Sequence, residues 1–147
     1  MKILLQRVTE ARVRIGGEVV GEIQNGFLAL VGCRAGDRAE DADRLAVKTT
    51  ALRVFGDDAG RMNRSVLDVG GDVLAVSQFT LYADCRKRRP GFTEAARPEL
   101  AVPLYELVIS ECRSRGFKVE TGEFGADMQV ASVNDGPVTI ILDSNEL

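Results

Sequence analysis

Short apolar runs closed by glycine turns fill the first part of this chain, and they commit it to a β-sheet. Residues 3–15 alternate loosely, with Val8, Ala11, Val13 and Ile15 set against Arg7, Arg12 and Arg14, the period of a half-buried strand. Gly16-Gly17 predicts a two-residue hairpin turn, after which Glu18-Val19-Val20-Gly21-Glu22-Ile23 returns as a second strand. Asn25-Gly26 turns again into Phe27-Leu28-Ala29-Leu30-Val31-Gly32-Cys33, apolar throughout and so a central strand. Arg53-Val54-Phe55 reads as a short extended piece. Residues 72–76, 117–121, 128–133 and 138–142 read as further strands, with Asn134-Asp135-Gly136-Pro137 as a turn between the last two.

Two helices interrupt the strands. Asp37 opens the first, where Ala42, Leu45, Ala46, Thr49 and Leu52 recur at helical spacing and Asp41, Asp43, Arg44 and Lys48 solvate the other face. The second carries the stripe Leu100, Leu104, Leu107, Val108 and Cys112, starts near Pro98 and ends at Gly116; Pro103 should sit in its first turn or kink it. The helices do not alternate strictly with strands. The expected fold is therefore α+β: a mostly antiparallel sheet or barrel with two packed helices, in one domain spanning residues 1–147.

The chain has no histidine. That excludes Ser-His-Asp and Cys-His catalysis and imidazole-ligated metals. Proton transfer at neutral pH must use the substrate, water, backbone groups or a shifted side chain. Cys33, Cys85 and Cys112 lie far apart and form no C-x-x-C pair, so neither a disulfide framework nor a zinc site is expected, and no cofactor. Cys33 and Cys112 sit in apolar patterns and read as buried thiols. The net charge of -3 opposes general binding to polyanions, so a nucleic acid must meet a local basic patch. No run is long enough to cross a membrane and the first residues are too soon charged for a signal peptide, so a cytoplasmic location is expected.

At the end of the strand 72–76 the composition changes abruptly. Ser77, Gln78 and Thr80 bring two hydroxyls and an amide to the lip of the core, with Phe79 and Leu81 between them. Continued as a strand, this stretch would put Gln78 and Thr80 on one face and Ser77, Phe79 and Leu81 on the other. Arg86, Lys87, Arg88 and Arg89 follow. A polar strand end beside a basic loop suits an anionic substrate with a reactive carbonyl or phosphate; taken singly, the same residues also suit a strand end bonded to neighbouring backbone beside a solvated loop.

Ser77-Gln78-Phe79-Thr80-Leu81 and Asn134-Asp135-Gly136-Pro137-Val138-Thr139, in that order in a chain of this length, closely resemble the D-aminoacyl-tRNA deacylases. Gln6-Arg7-Val8, Gly60-Arg61-Met62-Asn63, Tyr82-Ala83-Asp84 and Phe124-Gly125-Ala126-Asp127-Met128 extend the likeness over essentially the whole chain. The basic loop departs from it: a glycine common after the lysine is missing, and Gly91 stands where a serine is frequent. The resemblance implies a homodimer with the active site at the interface. It implies catalytic roles for Ser77, Gln78, Phe79 and Thr80, substrate contacts from Phe124, Met128 and Asn134, and contacts to charged tRNA from Arg7, Arg86, Lys87, Arg88 and Arg89. It further implies that Gly136-Pro137, with a cis bond, reaches from the partner subunit to exclude L-amino acids while D-amino acids or glycine are released by ester hydrolysis. Thr80 has no evident base, which favours a positioning role over covalent attack. Two other functions fit the residues: a non-catalytic nucleic-acid-binding module, and a threonine-nucleophile amidase acting on small substrates.

Overall fold

In the computed structural model, which describes residues 1–147, the elements run in this order: β1 (Lys2–Ile15), β2 (Glu18–Ile23), β3 (Gly26–Gly32), α1 (Ala39–Ala51), β4 (Phe55–Gly56), β5 (Met62–Arg64), β6 (Asp72–Ser77), a 3-10 turn (Phe79–Tyr82), α2 (Pro98–Ser114), β7 (Val119–Thr121), β8 (Gln129–Asp143) and a closing 3-10 turn (Ser144–Glu146). The sheet is organised on β1. Its first half pairs antiparallel with β3, from Lys2 opposite Gly32 to Val8 opposite Gly26. Its second half pairs with β2, from Ala11 opposite Ile23 to Ile15 opposite Glu18. β3 continues in parallel to β6, and β6 in parallel to β7. β7 then comes back against β2: a Cβ on Gly21 would stand 2.5 Å from the Thr121 carbonyl oxygen, so only glycine permits this approach. The result is a nearly closed mixed barrel, with β4 and β5 as a separate small hairpin.

Alternation divides the core into two. Phe27, Ala29 and Val31 of β3 join Val73 and Ala75 of β6 in packing against Ala42, Leu45 and Ala46 of α1 and Leu104, Tyr105 and Val108 of α2. Leu28, Leu74 and Val76, from the opposite faces of the same strands, fill the other cluster with Val8, Val13 and Ile23. β3 is thus buried on both faces, as its unbroken apolar run predicts. On α2 the buried stripe is Ala101, Leu104, Tyr105, Val108, Ile109 and Cys112; it keeps Leu104, Val108 and Cys112 of the expected stripe, while Leu107 is half-buried and Leu100 is exposed. Pro103 lies within the helix near its start, where its missing amide costs one bond to the Glu99 carbonyl. Asp37 does not cap α1; its carboxylate accepts from the Met1 amino group at 2.8 Å and from the Arg34 amide, and the helix begins two residues later. Neither helix is long and apolar enough to cross a membrane.

Two stretches differ from the sequence expectation. The chain leaves the ladder after Ser77 and winds into the 3-10 turn, so the alternation expected over 77–81 is not followed. Residues 134–137 do not end a strand. β8 runs unbroken along the other edge of β1, from Arg14 opposite Gln129 to Lys2 opposite Asp143. Val8 pairs with Asn134 and Gln6 with Thr139, so residues 135–138 bulge out opposite Arg7 alone. Within this bulge the Gly136-Pro137 bond is cis and Gly136 has φ 127°. Asn, Asp, Gly and Pro signal departure from a ladder, but not whether the ladder resumes; here β1 continues alongside and β8 rejoins it.

Candidate active site at the end of β6

The parallel strands β3 and β6 end side by side, and a cavity of about 540 Å³ opens there, the usual place for a site in parallel sheet. Val31 and Val76 close its sheet side, α2 contributes Ala101 and Tyr105, and the segment joining β7 to β8 contributes Phe124 and Met128. Ser77, Gln78 and Phe79 stand on the same lining. The local chain path explains why. The Gln78 amide donates to the Val31 carbonyl at 2.7 Å, which extends the β3 contact one residue past β6. The Leu81 amide then donates back to the Gln78 carbonyl at 3.3 Å, and that of Ala83 to the Thr80 carbonyl at 3.0 Å. Gly32 lets this turn lie against β3, for its Cβ would stand 3.0 Å from the Gln78 carbonyl oxygen. As the first residues of a 3-10 turn, Phe79 and Thr80 find no carbonyl within it for their own amides.

Thr80 is exposed and accepts a short hydrogen bond from the Gln78 side-chain amide. Tyr105 donates from its hydroxyl to the Ala75 carbonyl at 2.8 Å, and its ring lies 5.9 Å from that of Phe124. Burial pushes the Tyr105 pKa up to about 12, so this donor keeps its proton. Cys33 also borders the cavity. Burial, and after it the Asp37 carboxylate, push its pKa up to about 12, so it stands as an inert thiol. No three carboxylates and thiols converge where a cation could be held.

The other sequence-selected residues lie outside this lining. Arg86, Lys87, Arg88 and Arg89 occupy a hairpin closed by Asp84 and Gly91, whose amides donate to each other's carbonyls at 2.8 and 2.9 Å. Arg86 donates to both carboxylate oxygens of Asp84, and that side-chain bond holds the Asp84 pKa below the usual carboxylate range. Lys87, Arg88 and Arg89 are exposed and form no ion pair. Arg7 is engaged inside the chain: its side chain is 14% exposed, Nε donates to the Asp135 carbonyl at 3.0 Å, and Nη1 donates to the Val54 carbonyl. A Cβ on Gly136 would stand 2.9 Å from Arg7 Nη2. Arg7 therefore fastens the bulge of β8 to the residue immediately before β4. Gly136 and Pro137 belong to that bulge, Asn134 flanks it in register with Val8, and none of the three lines the cavity. Sequence reasoning passed over Tyr105 and Phe92 on the cavity wall. The signal at Tyr105 was a hydroxyl within an otherwise apolar helical stripe.

A profile of the D-Tyr-tRNA(Tyr) deacylase family matches residues 4–143. Relatives named D-aminoacyl-tRNA deacylase include one from Thermus aquaticus, 58% identical over 147 residues, covering 99% of this chain and 97% of the relative. Another, from Geobacillus sp. (strain WCH70), is 54% identical with the same coverage. A solved structure named c-Myc DNA Unwinding Element Binding Protein superposes with a TM-score of 0.92 at 37% identity, covering 97% of this chain and 98% of that one. A second, described as a probable eukaryotic D-amino acid tRNA deacylase, superposes with a TM-score of 0.82 at 15% identity, a likeness of fold.

Proposed function

The chain belongs to the D-Tyr-tRNA(Tyr) deacylase family and is a hydrolase of D-aminoacyl-tRNA; on that premise we propose how its residues carry out the reaction. The 3′ aminoacyl-adenosine end of the tRNA lodges in the cavity at the end of β6. The observation that carries this is the meeting, on one mostly apolar lining, of Ser77, Gln78 and Phe79 with Phe124 and Met128. An aminoacyl ester is already an activated carbonyl. Backbone amides at Phe79 and Thr80 stabilise the oxyanion, and the vicinal ribose hydroxyl shares in the proton transfer. Water attacks the carbonyl carbon, the ester bond breaks, and free amino acid and tRNA leave. Gln78 and Thr80 orient the ester through their mutual hydrogen bond. No imidazole is required, and none is present. Lys87, Arg88 and Arg89 hold tRNA phosphates at the basic hairpin. The enzyme works in the cytoplasm.

The active form is a homodimer. The outer edge of β8 has no partner strand within the chain, and Val130, Val133 and Ile141 on that strand are exposed. A second copy covers this edge and presents its Gly136-Pro137 bulge to the first subunit's site. Backbone placed where an L side chain must project excludes it, whereas a D-amino acid or glycine passes. Arg7 supports this role by fixing the bulge at Asp135.

The name of the 37% identical structure favours one other reading, a nucleic-acid-binding module. Hydrolysis of matched D- and L-tyrosyl-tRNA separates the two. We expect the D form to be hydrolysed at least about 1,000-fold faster, more than one apolar contact alone provides. Gly136→Ala, whose methyl would meet Arg7 and whose φ disfavours a side chain, should narrow that ratio. Binding without turnover would leave the binding module, and equal D and L rates would remove the chiral filter.

A further inference from the structure

We propose that Phe92 is a positioning residue for deacylation, holding Phe79 at the mouth of the cavity and tying its place to the basic hairpin; this rests on the tRNA reading of that cavity. The two rings meet edge to face, with centroids 5.0 Å apart and planes at 72°. Both border the cavity, and both remain exposed, Phe79 at 54% and Phe92 at 37%. Phe79 opens the 3-10 turn, and its preceding residue, Gln78, is fixed to Val31. The turn ends at Tyr82, and Asp84, two residues on, is one base of the basic hairpin. The other base is Gly91, directly before Phe92. One stem of the hairpin therefore adjoins Phe92, and the other is joined to Phe79 through the 3-10 turn. Beyond Phe92 the chain is fastened to the segment that follows β3: the Ala35 amide donates to the Glu94 carbonyl at 3.0 Å, and the Ala96 amide to the Cys33 carbonyl at 2.9 Å.

Phe92 thus gives Phe79, the more exposed of the two, a ring to rest against. A phosphate gripped at Lys87, Arg88 or Arg89 sets the pose of the hairpin. That pose reaches the amides of Phe79 and Thr80 through the ring contact. The coupling places the oxyanion donors when the tRNA body is engaged, so it acts on the chemical step more than on tRNA affinity.

The test compares Phe92→Ala, Phe92→Leu and Phe92→Tyr in single-turnover hydrolysis of D-tyrosyl-tRNA, with affinity for uncharged tRNA measured separately. Aromatic pairs contribute a factor of roughly two to ten, so Phe92→Ala should lose about that factor in rate while its tRNA affinity is unchanged. Phe92→Tyr, which keeps the ring, should hydrolyse as the unsubstituted protein does. Arg88→Gln with Arg89→Gln should slow the saturated rate in the unsubstituted background, but alter only tRNA affinity when combined with Phe92→Ala. An unchanged rate in Phe92→Ala, a parallel loss of rate and affinity, or a Phe92→Tyr variant as slow as Phe92→Ala overturns the proposal. If thermal denaturation shows Phe92→Ala unfolded, Phe92→Leu is judged by the same criteria. Absence of turnover by the unsubstituted protein overturns the tRNA reading of the cavity, and the proposal with it.

Discussion

The hydroxyl of Thr80 has one hydrogen-bond partner, the side-chain amide of Gln78, and that amide donates to it. No carboxylate or imidazole stands ready to take its proton, as a nucleophile would need. Cys33, the thiol nearest the site, is kept protonated by burial and by Asp37. With neither group activated, the substrate's own hydroxyl becomes the main candidate for moving protons. Thr80→Ala should therefore keep its rate within about tenfold, whereas a substrate with a 2′-deoxy terminal ribose, acylated on the 3′ oxygen, should lose about 100-fold or more. Single-turnover hydrolysis of the two pairs measures this. The reverse order, or a covalent adduct on Thr80 detected by mass spectrometry, would restore the threonine nucleophile.

Among the elements, the basic hairpin has unequal cations. Arg86 is already held by both oxygens of Asp84, whereas Arg88 and Arg89 have no acidic partner. Replacing Arg88 and Arg89 with glutamine should lower the slope of log affinity against log salt by about 1.5, and Arg86→Gln should lower it less than either single change. Binding titrations across salt concentration read the slopes, and an unchanged slope in the double variant would put the tRNA elsewhere. The presence of this loop was legible in the residues; the Arg86–Asp84 pairing was not, because Asp84 has four neighbouring cations and the local turn at Arg86 selects among them. The same division runs through the fold. β3 was legible as a central strand because an unbroken apolar run suits burial on both faces. Its parallel partnership with β6 was not, since α1 and the β4–β5 hairpin lie between them in sequence. Ser77, Phe124 and Met128 were singled out through their motifs, and all three line the cavity. Tyr105 was missed because its one hydroxyl sits in an otherwise apolar stretch, and only the position of Ala75 reveals what that hydroxyl does.

For the molecule as a whole, the bare edge of β8 decides the proposed assembly. Ile141 is 65% exposed on that strand. Ile141→Glu should yield a folded monomer by sedimentation, because a buried unpaired carboxylate is costly at an interface. That monomer should deacylate D-tyrosyl-tRNA far more slowly, having lost its neighbour's Gly136-Pro137. A variant that remains dimeric, or a monomer of full activity and unaltered chirality, would count against an interface site on this edge.

The ladder between β1 and β8 also has a consequence for biosynthesis. Lys2 pairs with Asp143, so β1 is made well before the β8 strand that covers its edge. Such long-range pairing slows folding, since the loop must close before its contacts contribute. While translation proceeds, β1 offers a 14-residue edge with no β8 beside it. A nascent chain halted before Gln129 would carry that edge open to other chains, and the synthesis of β8 is the event that lets the sheet be sealed.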